Sequence, residues 1–151
     1  MECQTDFSLK ELNTFHVEAV AACYVRIDKA CEIVDMLGNA AIDRQRCLIL
    51  GGGSNLLFVD DVAGTVVHPM LKGIEVIEAS RRHIRLRVMA GENWDDLVAH
   101  AVGNGWGGIE NLSLIPGSVG ASAVQNIGAY GMEVKKVVDS VEAISMDSGQ
   151  P

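Results

Sequence analysis

Basic residues are scarce in this sequence. Twelve Lys and Arg stand against twenty Asp and Glu, which gives a formal net charge of −8 over 151 residues. Such an acidic surface repels polyanions, so the composition argues against nucleic acid or an anionic membrane as a partner. The N-terminus, MECQTDFSLKE, has no apolar core, and the early apolar run from Val17 to Val25 is short and interrupted by Glu18. The sequence therefore predicts neither a secretory signal nor a membrane span.

A metal-binding signature is also missing. The four cysteines show no CxxC spacing, and the four histidines are too scattered to complete a zinc site with them. We expect no bound metal, and we expect Cys3, Cys23, Cys31 and Cys47 to be reduced thiols that are buried or half-buried. Reduced cysteines without a secretory signal predict a cytoplasmic protein.

The chain has enough apolar residues to fold, since hydrophobic residues make up 48% of it. This length allows one full core or two small subdomains. We find no repeats or flexible linkers, and the pattern changes near Met70 to Lys72. We therefore predict a first subdomain over residues 1–71 and a second over residues 72–151.

Apolar periodicity predicts strands mixed with helices. Amphipathic helices are expected after Asp28, which is placed to act as an N-cap, and after Glu92 or Asn93, either of which could cap the second helix. Arg85 and Arg87 alternate with apolar residues, which predicts a half-exposed strand with its arginines in water. Trp94 is expected in the core. The predicted strands and short apolar segments are Ala21–Ile27, Cys47–Leu50 (buried on both faces), Leu56–Val59, Thr65–His68, Ile74–Ile77, Ile84–Val88 and Val134–Met146 (one strand or a bent pair).

A glycine loop, GGGSN at Gly51–Asn55, follows the apolar Cys47–Leu50 run. Successive amides without side chains can form a concave nest for an anion such as a pyrophosphate, and Ser54 and Asn55 could add donors. Leu56 occupies the third glycine position of GxGxxG, and no GK[ST] follows, so neither common nucleotide-binding fingerprint is complete. The alternative interpretation is a tight turn or hinge.

A second segment poor in large side chains runs from Gly108 to Gly131. Its glycines would let a flat ligand lie against the main chain. Gln125 and Asn126 place carboxamides among those glycines, and each amide can both donate and accept. The alternative is a tightly packed helix joined to two turns.

Five motifs occur in an order that resembles the bacterial UDP-N-acetylenolpyruvoylglucosamine reductase family. They are NTF (13–15), LILGGGSNLLF (48–58), KGIE (72–75), AGENW (90–94) and IPGSVGASAVQNIGAYG (115–131). The resemblance covers the chain from about Ser8 to its end, and the last motif is the most specific. Ala123 stands where many members have proline. This difference affects only the expected rigidity of the chain at that position.

The resemblance implies an α+β fold with two FAD-binding subdomains, of the vanillyl-alcohol-oxidase/PCMH type and not the Rossmann type. Tyr130 would stand near the substrate. The pyrophosphate of FAD would be lined by Gly51, Gly52, Gly53, Ser54, Asn55 and Leu56. The flavin would lie along Ile115, Pro116, Gly117, Gly120, Ser122, Ile127, Gly128 and Ala129, supported by Gln125 and Asn126.

In this family NADPH reduces FAD, which then reduces the enolpyruvyl group of a nucleotide-sugar. The resemblance also implies a catalytic serine, arginine and glutamate, which in the family follow the point where this sequence ends. Ser113 and Ser122 are therefore not assigned that role, and no catalytic residue is predicted within the chain. The turn at Asp147–Gly149 without a returning strand suggests a fragment. We expect it to bind FAD weakly or incompletely and not to turn over. The alternatives are part of another FAD oxidoreductase of this fold, or a non-catalytic module that binds a nucleotide diphosphate.

Overall fold

The structure is a computed structural model that describes residues 3–39 and 42–150. The chain divides into two compact units. The first comprises the described residues up to Met70 together with those from Glu142 onward, and the second comprises Leu71–Val141. The assignment of subdomains that each bind FAD stays a prediction.

A four-stranded sheet forms the frame of the first unit. Its strands are β1 (Gln4–Ser8), β2 (Val20–Ile27), β3 (Cys47–Ile49) and β4 (Val62–Pro69), in the order β1-β2-β4-β3. Strand β1 pairs with β2 antiparallel, whereas β4 is parallel to both β2 and β3. Parallel strands of one sheet need crossover connections, and helix α1 (Ala30–Gly38) lies in the connection from β2 to β3, the two strands that flank β4.

The predicted β2 strand and the helix after it are confirmed, but the predicted N-cap is wrong by one residue. Lys29 is the N-cap of α1. The Glu32 carboxylate accepts hydrogen bonds from the backbone N–H groups of Asp28 (2.8 Å) and Lys29 (3.0 Å). The Asp28 carboxylate instead accepts hydrogen bonds from Arg26, with the Nη2 to Oδ1 distance at 2.8 Å. Asp28 cannot cap the helix because its side chain is engaged on the preceding strand.

Strand β3 is confirmed as a strand but not as one buried on both faces. It lies at the edge of the sheet beyond β4, and the Ile49 side chain is 51% exposed. Within the predicted segment Leu56–Val59 the chain forms no strand, and Phe58 alone is buried there, with 8% of its surface exposed. These short apolar runs had no period that could indicate which face would be covered.

The core of the first unit forms around β2 and β4, with Leu9, Ala21, Tyr24, Leu50 and Val66 among its buried residues. The expectation of four reduced thiols is wrong for one pair. Cys3 and Cys23 form a disulfide between the start of the chain and β2, with their Cα atoms 5.6 Å apart. Cys31 and Cys47 are free thiols, and Cys47 is half-buried as expected, but Cys31 is exposed, so the expectation of burial is wrong for Cys31. Sequence spacing gave no sign of this pair because β-pairing brings the two residues together.

In the second unit, β5 (Ile74–Ala79) and β6 (Ile84–Val88) form an antiparallel hairpin. Arg85 and Arg87 are half-exposed and pair with Glu78 (3.2 Å) and Glu75 (3.7 Å), so the predicted solvated arginine face is confirmed. The unit also contains α2 (Trp94–Gly103), the short helix α3 (Val119–Ser122), and the two-residue strands β7 (Gly128–Ala129) and β8 (Met132–Glu133).

The start of α2 is as the sequence predicts. The Asn93 side chain accepts hydrogen bonds from the backbone N–H groups of Asp95 (2.9 Å) and Asp96 (3.2 Å). Such a cap satisfies donors that the first helical turn leaves without partners. Trp94 is 4% exposed and lies in the core of this unit with Leu97, Val98, Leu112, Ile127 and Val134.

The prediction of one strand or a bent pair from Val134 to Met146 is wrong. The segment starts with a 3-10 helix at Val134–Lys136 and continues without regular structure. The backbone N–H groups of Val137 and Val138 both donate to the Val134 carbonyl at 3.0 Å. This local turn uses hydrogen bonds that a strand would need.

The described residues hold neither a cluster of metal-binding side chains nor a helix that could span a membrane. No group of three or more His, Cys, Asp and Glu in residues 3–39 and 42–150 is arranged to hold a metal ion. Among the same residues, every helix is too short or too polar to cross a bilayer.

Candidate functional site

The glycine loop at Gly51–Asn55 is shaped by the protein's own backbone. Gly53 is buried and has φ +64°. A Cβ built there would overlap the Leu12 carbonyl oxygen and lie 2.9 Å from the Asn13 Cα atom. The Thr14 N–H donates to the Gly53 carbonyl at 3.2 Å. Gly53 is therefore required by packing, whatever the loop binds.

Asn13 organises the segment that Gly53 approaches. This residue is 3% exposed, and its carboxamide donates to the carbonyls of Leu9 (2.9 Å) and Val17 (3.0 Å). Its Oδ1 atom accepts from the Val17 N–H at 3.1 Å. The NTF motif thus contributes a polar centre to a tight loop, which explains why it occurs together with GGGSN.

A buried polar pair that sequence reasoning missed adjoins the glycine loop. The Tyr24 hydroxyl and His68 Nδ1 are hydrogen-bonded at 2.8 Å, and both residues are more than 90% buried. Burial lowers the pKa of His68, and the charge of Arg26 lowers it further, whereas a backbone hydrogen bond with Gly51 and the charge of Asp28 act in the opposite direction. Burial raises the pKa of Tyr24. No local pattern predicted this pair, because the register of β2 on β4 brings it together.

The six predicted pyrophosphate residues lie in one irregular stretch after β3. Gly52 and Asn55 are exposed, and Gly53 is buried. Gly51, Ser54 and Leu56 are half-buried. The stretch continues irregularly toward β4, so it does not lead into a helix as a Rossmann glycine loop does.

The segment Leu112–Gly120 is tied to the start of α2. The Trp94 indole N–H donates to the Leu112 carbonyl at 2.8 Å, and the Trp94 backbone N–H donates to the Gly117 carbonyl at 3.0 Å. Between these two contacts, the Leu114 N–H donates to Asp95 Oδ1 at 2.6 Å. The AGENW motif and Asp95 therefore form the support of the IPGSVG motif.

The same support continues one turn further along the chain. The N–H groups of Val119 and Gly120 donate to the carbonyls of Glu92 and Ala90, each at 2.9 Å. A Cβ built on Gly120 would lie 2.7 Å from the Ala90 Cβ atom. The missing side chain at Gly120 thus serves close packing between two backbone segments.

Two predicted site residues use their polar side chains within the unit. The Ser122 hydroxyl donates to the Val119 carbonyl at 2.7 Å, and Ser122 is 4% exposed. The Asn126 amide group donates to the Glu133 carboxylate at 3.1 Å, and Asn126 Oδ1 accepts from the Lys135 N–H at 3.1 Å. Lys135 lowers the pKa of Glu133 by hydrogen bonding to it.

The QNIGAYG motif ends in a tight hairpin between β7 and β8. Its two turn residues, Tyr130 and Gly131, have φ +51° and +78°. Positive φ at both positions is typical of a type I′ turn. A Cβ on Gly128 would lie 2.9 Å from the Met132 carbonyl oxygen. A depression of about 450 Å³ is lined by Asn126, Gly128, Ala129, Gly131, Met132 and Glu133.

Large apolar side chains are exposed on this second segment. Leu114 is 83% exposed, Val124 is 88% exposed and Tyr130 is 90% exposed. Ile115 and Gly117 are half-buried, and Pro116 is exposed. The structure thus places Ile115–Ala129 and Tyr130 together in the second unit, whereas Gly51–Leu56 lie in the first.

A family comparison identifies the type of domain. Residues 21–150 match the family described as FAD binding domain. The chain belongs to that FAD-binding family. The α+β fold predicted from the resemblance is confirmed, and FAD is the cofactor that the family binds.

Relatives with curated names agree with one another. The chain is 44% identical over 149 residues to UDP-N-acetylenolpyruvoylglucosamine reductase from Amoebophilus asiaticus, which is 99% of this chain and 44% of that protein. It is 45% identical over 141 residues to the reductase of the same name from Bacteroides fragilis (strain ATCC 25285), and this alignment covers 93% of this chain and 42% of that protein. It is 47% identical over 140 residues to the reductase of the same name from Neisseria meningitidis serogroup B, and this alignment covers 93% of this chain and 40% of that protein. The chain thus spans less than half the length of these relatives.

A solved structure shows the same fold. The crystal structure of UDP-N-acetylenolpyruvylglucosamine reductase (MurB) from Thermus caldophilus matches 88% of this chain and 45% of its own, with a TM-score of 0.66 and 25% identity. The resemblance stated from the five motifs is therefore confirmed.

The two segments present the kinds of surface that FAD needs for its diphosphate and for its ring system. Gly52 is an exposed glycine that leaves main chain accessible to a diphosphate, as expected where backbone amides bind an anion. Exposed Leu114 and Val124 offer apolar surface to a ring system. Gly53, Gly120 and Gly128 are different, because their missing side chains accommodate the chain itself.

Proposed function

We propose that this chain is the FAD-binding part of a UDP-N-acetylenolpyruvoylglucosamine reductase. This activity reduces the enolpyruvyl group of UDP-N-acetylglucosamine enolpyruvate to give UDP-N-acetylmuramate, with NADPH as the reductant. The observation that carries the proposal is the Leu112–Gly120 segment, whose carbonyl and N–H groups are fixed to residues 90–95 while Leu114 remains exposed. Identity of 44% to a reductase of that name over 99% of the chain supports the same assignment.

Each loop has its own part in the proposal. Gly51–Leu56 bind the diphosphate of FAD, with Gly52 as the exposed glycine of the loop. Ile115–Ala129 bind the flavin ring, and Gln125 and Asn126 support that surface. Tyr130 lies on the substrate side, which agrees with its exposure of 90% at the tip of a hairpin.

The bound cofactor supplies hydride transfer from NADPH to the enolpyruvyl double bond. The residues of this chain bind FAD, orient it and exclude water from it. The serine, arginine and glutamate implied by the family resemblance match no position of this sequence, so none of these residues is assigned a proton transfer. We therefore propose that the chain alone binds FAD without turnover.

The proposed reaction belongs to peptidoglycan synthesis, and through cell wall biogenesis it would affect cell shape, the cell cycle and cell division. We place it in the cytoplasm, where its nucleotide-sugar substrate and NADPH would be available. Reducing conditions there would convert Cys3 and Cys23 to thiols.

FAD titration of the purified chain tests the proposal. Binding is followed by quenching of flavin fluorescence, and NADPH oxidation is measured with the enolpyruvyl substrate. We expect saturable binding of FAD and no NADPH oxidation. Colourless protein that shows no quenching at any FAD concentration would contradict the assignment.

A charge variant separates the diphosphate contact from the ring contact. In Gly52→Asp, a carboxylate in the glycine loop repels the diphosphate of FAD, so affinity for FAD should fall. Affinity for riboflavin, which has no diphosphate, should not change. Gly103→Asp is the matched control, because Gly103 is exposed at the end of α2 with no atom near its Cβ position. Equal FAD affinity in Gly52→Asp and wild type would remove the loop from the site.

The second candidate function is a non-catalytic module that binds a nucleotide diphosphate. The glycine loop at Gly51–Asn55, in which Gly52 is exposed, would be sufficient for that function. Thermal stabilisation by ADP as large as that by FAD would favour it, because a ligand stabilises the folded chain according to its affinity.

A further inference from the structure

Leu114 has a backbone conformation that leucine rarely adopts. Its φ is +61°, and its side chain is 83% exposed. The left-handed region brings Cβ close to the following carbonyl oxygen, so glycine is the usual residue there. Leu114 also directly precedes Ile115–Gly117, which the proposed function assigns to the flavin. An unfavourable conformation at an exposed apolar residue gives nothing to the core of the unit.

Asp95 holds this conformation in place. Its Oδ1 atom accepts the Leu114 N–H at 2.6 Å, and its own backbone N–H donates to Asn93 Oδ1 at 2.9 Å. Asp95 is therefore fixed in the capped first turn of α2.

The positions on either side of Leu114 are fixed as well. The carbonyls of Leu112 and Gly117 accept hydrogen bonds from the indole N–H and the backbone N–H of Trp94, and Trp94 is 4% exposed. Backbone strain persists where the surroundings over-determine it, and such residues cluster at ligand sites. The contacts of Trp94 and Asp95 over-determine this turn.

We propose that Asp95 is a positioning residue for FAD. Its carboxylate keeps Leu114 in the left-handed conformation, and so directs Leu114 and the Ile115–Gly117 backbone toward the cofactor. The inference rests on the proposed function, because it needs FAD to bind this segment. It adds Asp95, and the left-handed conformation of Leu114, to the features on which binding depends.

Four variants test the inference by FAD affinity: Asp95→Ala, Asp95→Asn, Leu114→Gly and the double variant Asp95→Ala/Leu114→Gly. In Asp95→Ala the carboxylate is missing, so Leu114 leaves the left-handed region in most molecules. If about a tenth of the molecules keep the conformation that binds FAD, the Kd of FAD rises about tenfold. Asp95→Asn retains an oxygen acceptor, so its Kd should stay within about twofold of wild type.

The double variant supplies the decisive comparison. Glycine populates positive φ without the anchor, so in the Leu114→Gly background the further change Asp95→Ala should alter the Kd less than about twofold. Asp96→Ala is the control. Asp96 lies in the same first turn as Asp95, so this variant removes an equally favourable negative charge from the start of the helix. Hydrogen exchange of the Leu114 amide without FAD reports the anchor independently, and Asp95→Ala but not Asp96→Ala should accelerate it.

The outcomes separate this inference from the proposed function. If the wild-type chain does not bind FAD, the proposed function and this inference are both overturned. If wild type binds FAD and Asp95→Ala binds equally well while the Leu114 amide exchanges faster, the anchor exists without serving FAD, and this inference alone is overturned. An equal loss of affinity from Asp95→Ala in the Leu114 and Leu114→Gly backgrounds would also overturn it, because the effect would not pass through Leu114.

Discussion

Replacing Tyr130 by asparagine should stabilise the second unit. Tyr130 and Gly131 form the two-residue turn between β7 and β8, and both have positive φ, at +51° and +78°. Turns of this type strongly favour the pair Asn-Gly, because asparagine tolerates the left-handed region better than a bulky residue does. Tyr130 therefore stands at a position where its backbone is unfavourable for folding.

The size of the effect follows from the conformation and the exposure. A left-handed conformation costs an ordinary residue roughly 1–2 kcal/mol, and asparagine recovers part of this, so we expect a gain of about 1 kcal/mol. The tyrosine ring is 90% exposed, so its removal loses little buried surface. A gain of about 1 kcal/mol raises the unfolding temperature by about 2–4 °C for a chain of this length.

Tryptophan fluorescence is the suitable assay. Both tryptophans of the chain, Trp94 and Trp106, lie in the second unit, and Trp94 is buried in its core. Thermal unfolding followed by their emission therefore reports the unit that contains the hairpin. Tyr130→Phe is the control, because phenylalanine retains the unfavourable backbone and should give no gain.

Two results would refute the reasoning about Tyr130. The first is an unfolding temperature of Tyr130→Asn at or below that of wild type. The second is an equal rise in Tyr130→Phe, which would trace the effect to the hydroxyl group. A confirmed gain would mean that Tyr130 is present despite its backbone conformation, as the proposed role on the substrate side would require.

Further predictions concern the first unit and one control glycine. Gly53→Ala should lower the free energy of unfolding by more than about 2 kcal/mol, because the new Cβ overlaps the Leu12 carbonyl. Gly105→Ala, which has a similar φ of +72° but open space around it, should lose only about 1 kcal/mol. Urea titration of both variants measures the two losses, and equal losses would contradict the steric argument. His68 should make stability depend on pH, because burial lowers its folded-state pKa below the unfolded value of about 6.5. The unfolded chain then binds the proton more readily, so this contribution is present above about pH 6.5 and is lost as the pH falls through the folded pKa. His68→Gln should abolish that slope above the range in which carboxylates titrate, and a slope unchanged in the variant would assign it to another group.

Interactions between near neighbours in the sequence were predictable. The Asn93 cap, the apolar stripe of α2 and the alternation in β6 all depend on residues a few positions apart, and all three are confirmed. The motif order also sufficed for the family, because it does not depend on where the segments lie in space. The predicted N-cap of α1 was wrong by one residue, since the side chain of Asp28 accepts a hydrogen bond from Arg26.

The sequence by itself therefore determined helices α1 and α2, the strands β2 to β6, the family and its cofactor, whereas α3, β1, β7 and β8 were not predicted. Tertiary structure decided what the glycines are for, because a missing side chain looks the same in sequence whether a ligand or a backbone occupies the space. Leu12 lies against Gly53 and Ala90 against Gly120, and neither neighbour is close in sequence. The pairing of Tyr24 with His68 and the anchoring of Leu114 by Asp95 likewise depend on chain segments far apart in sequence, which local patterns do not encode.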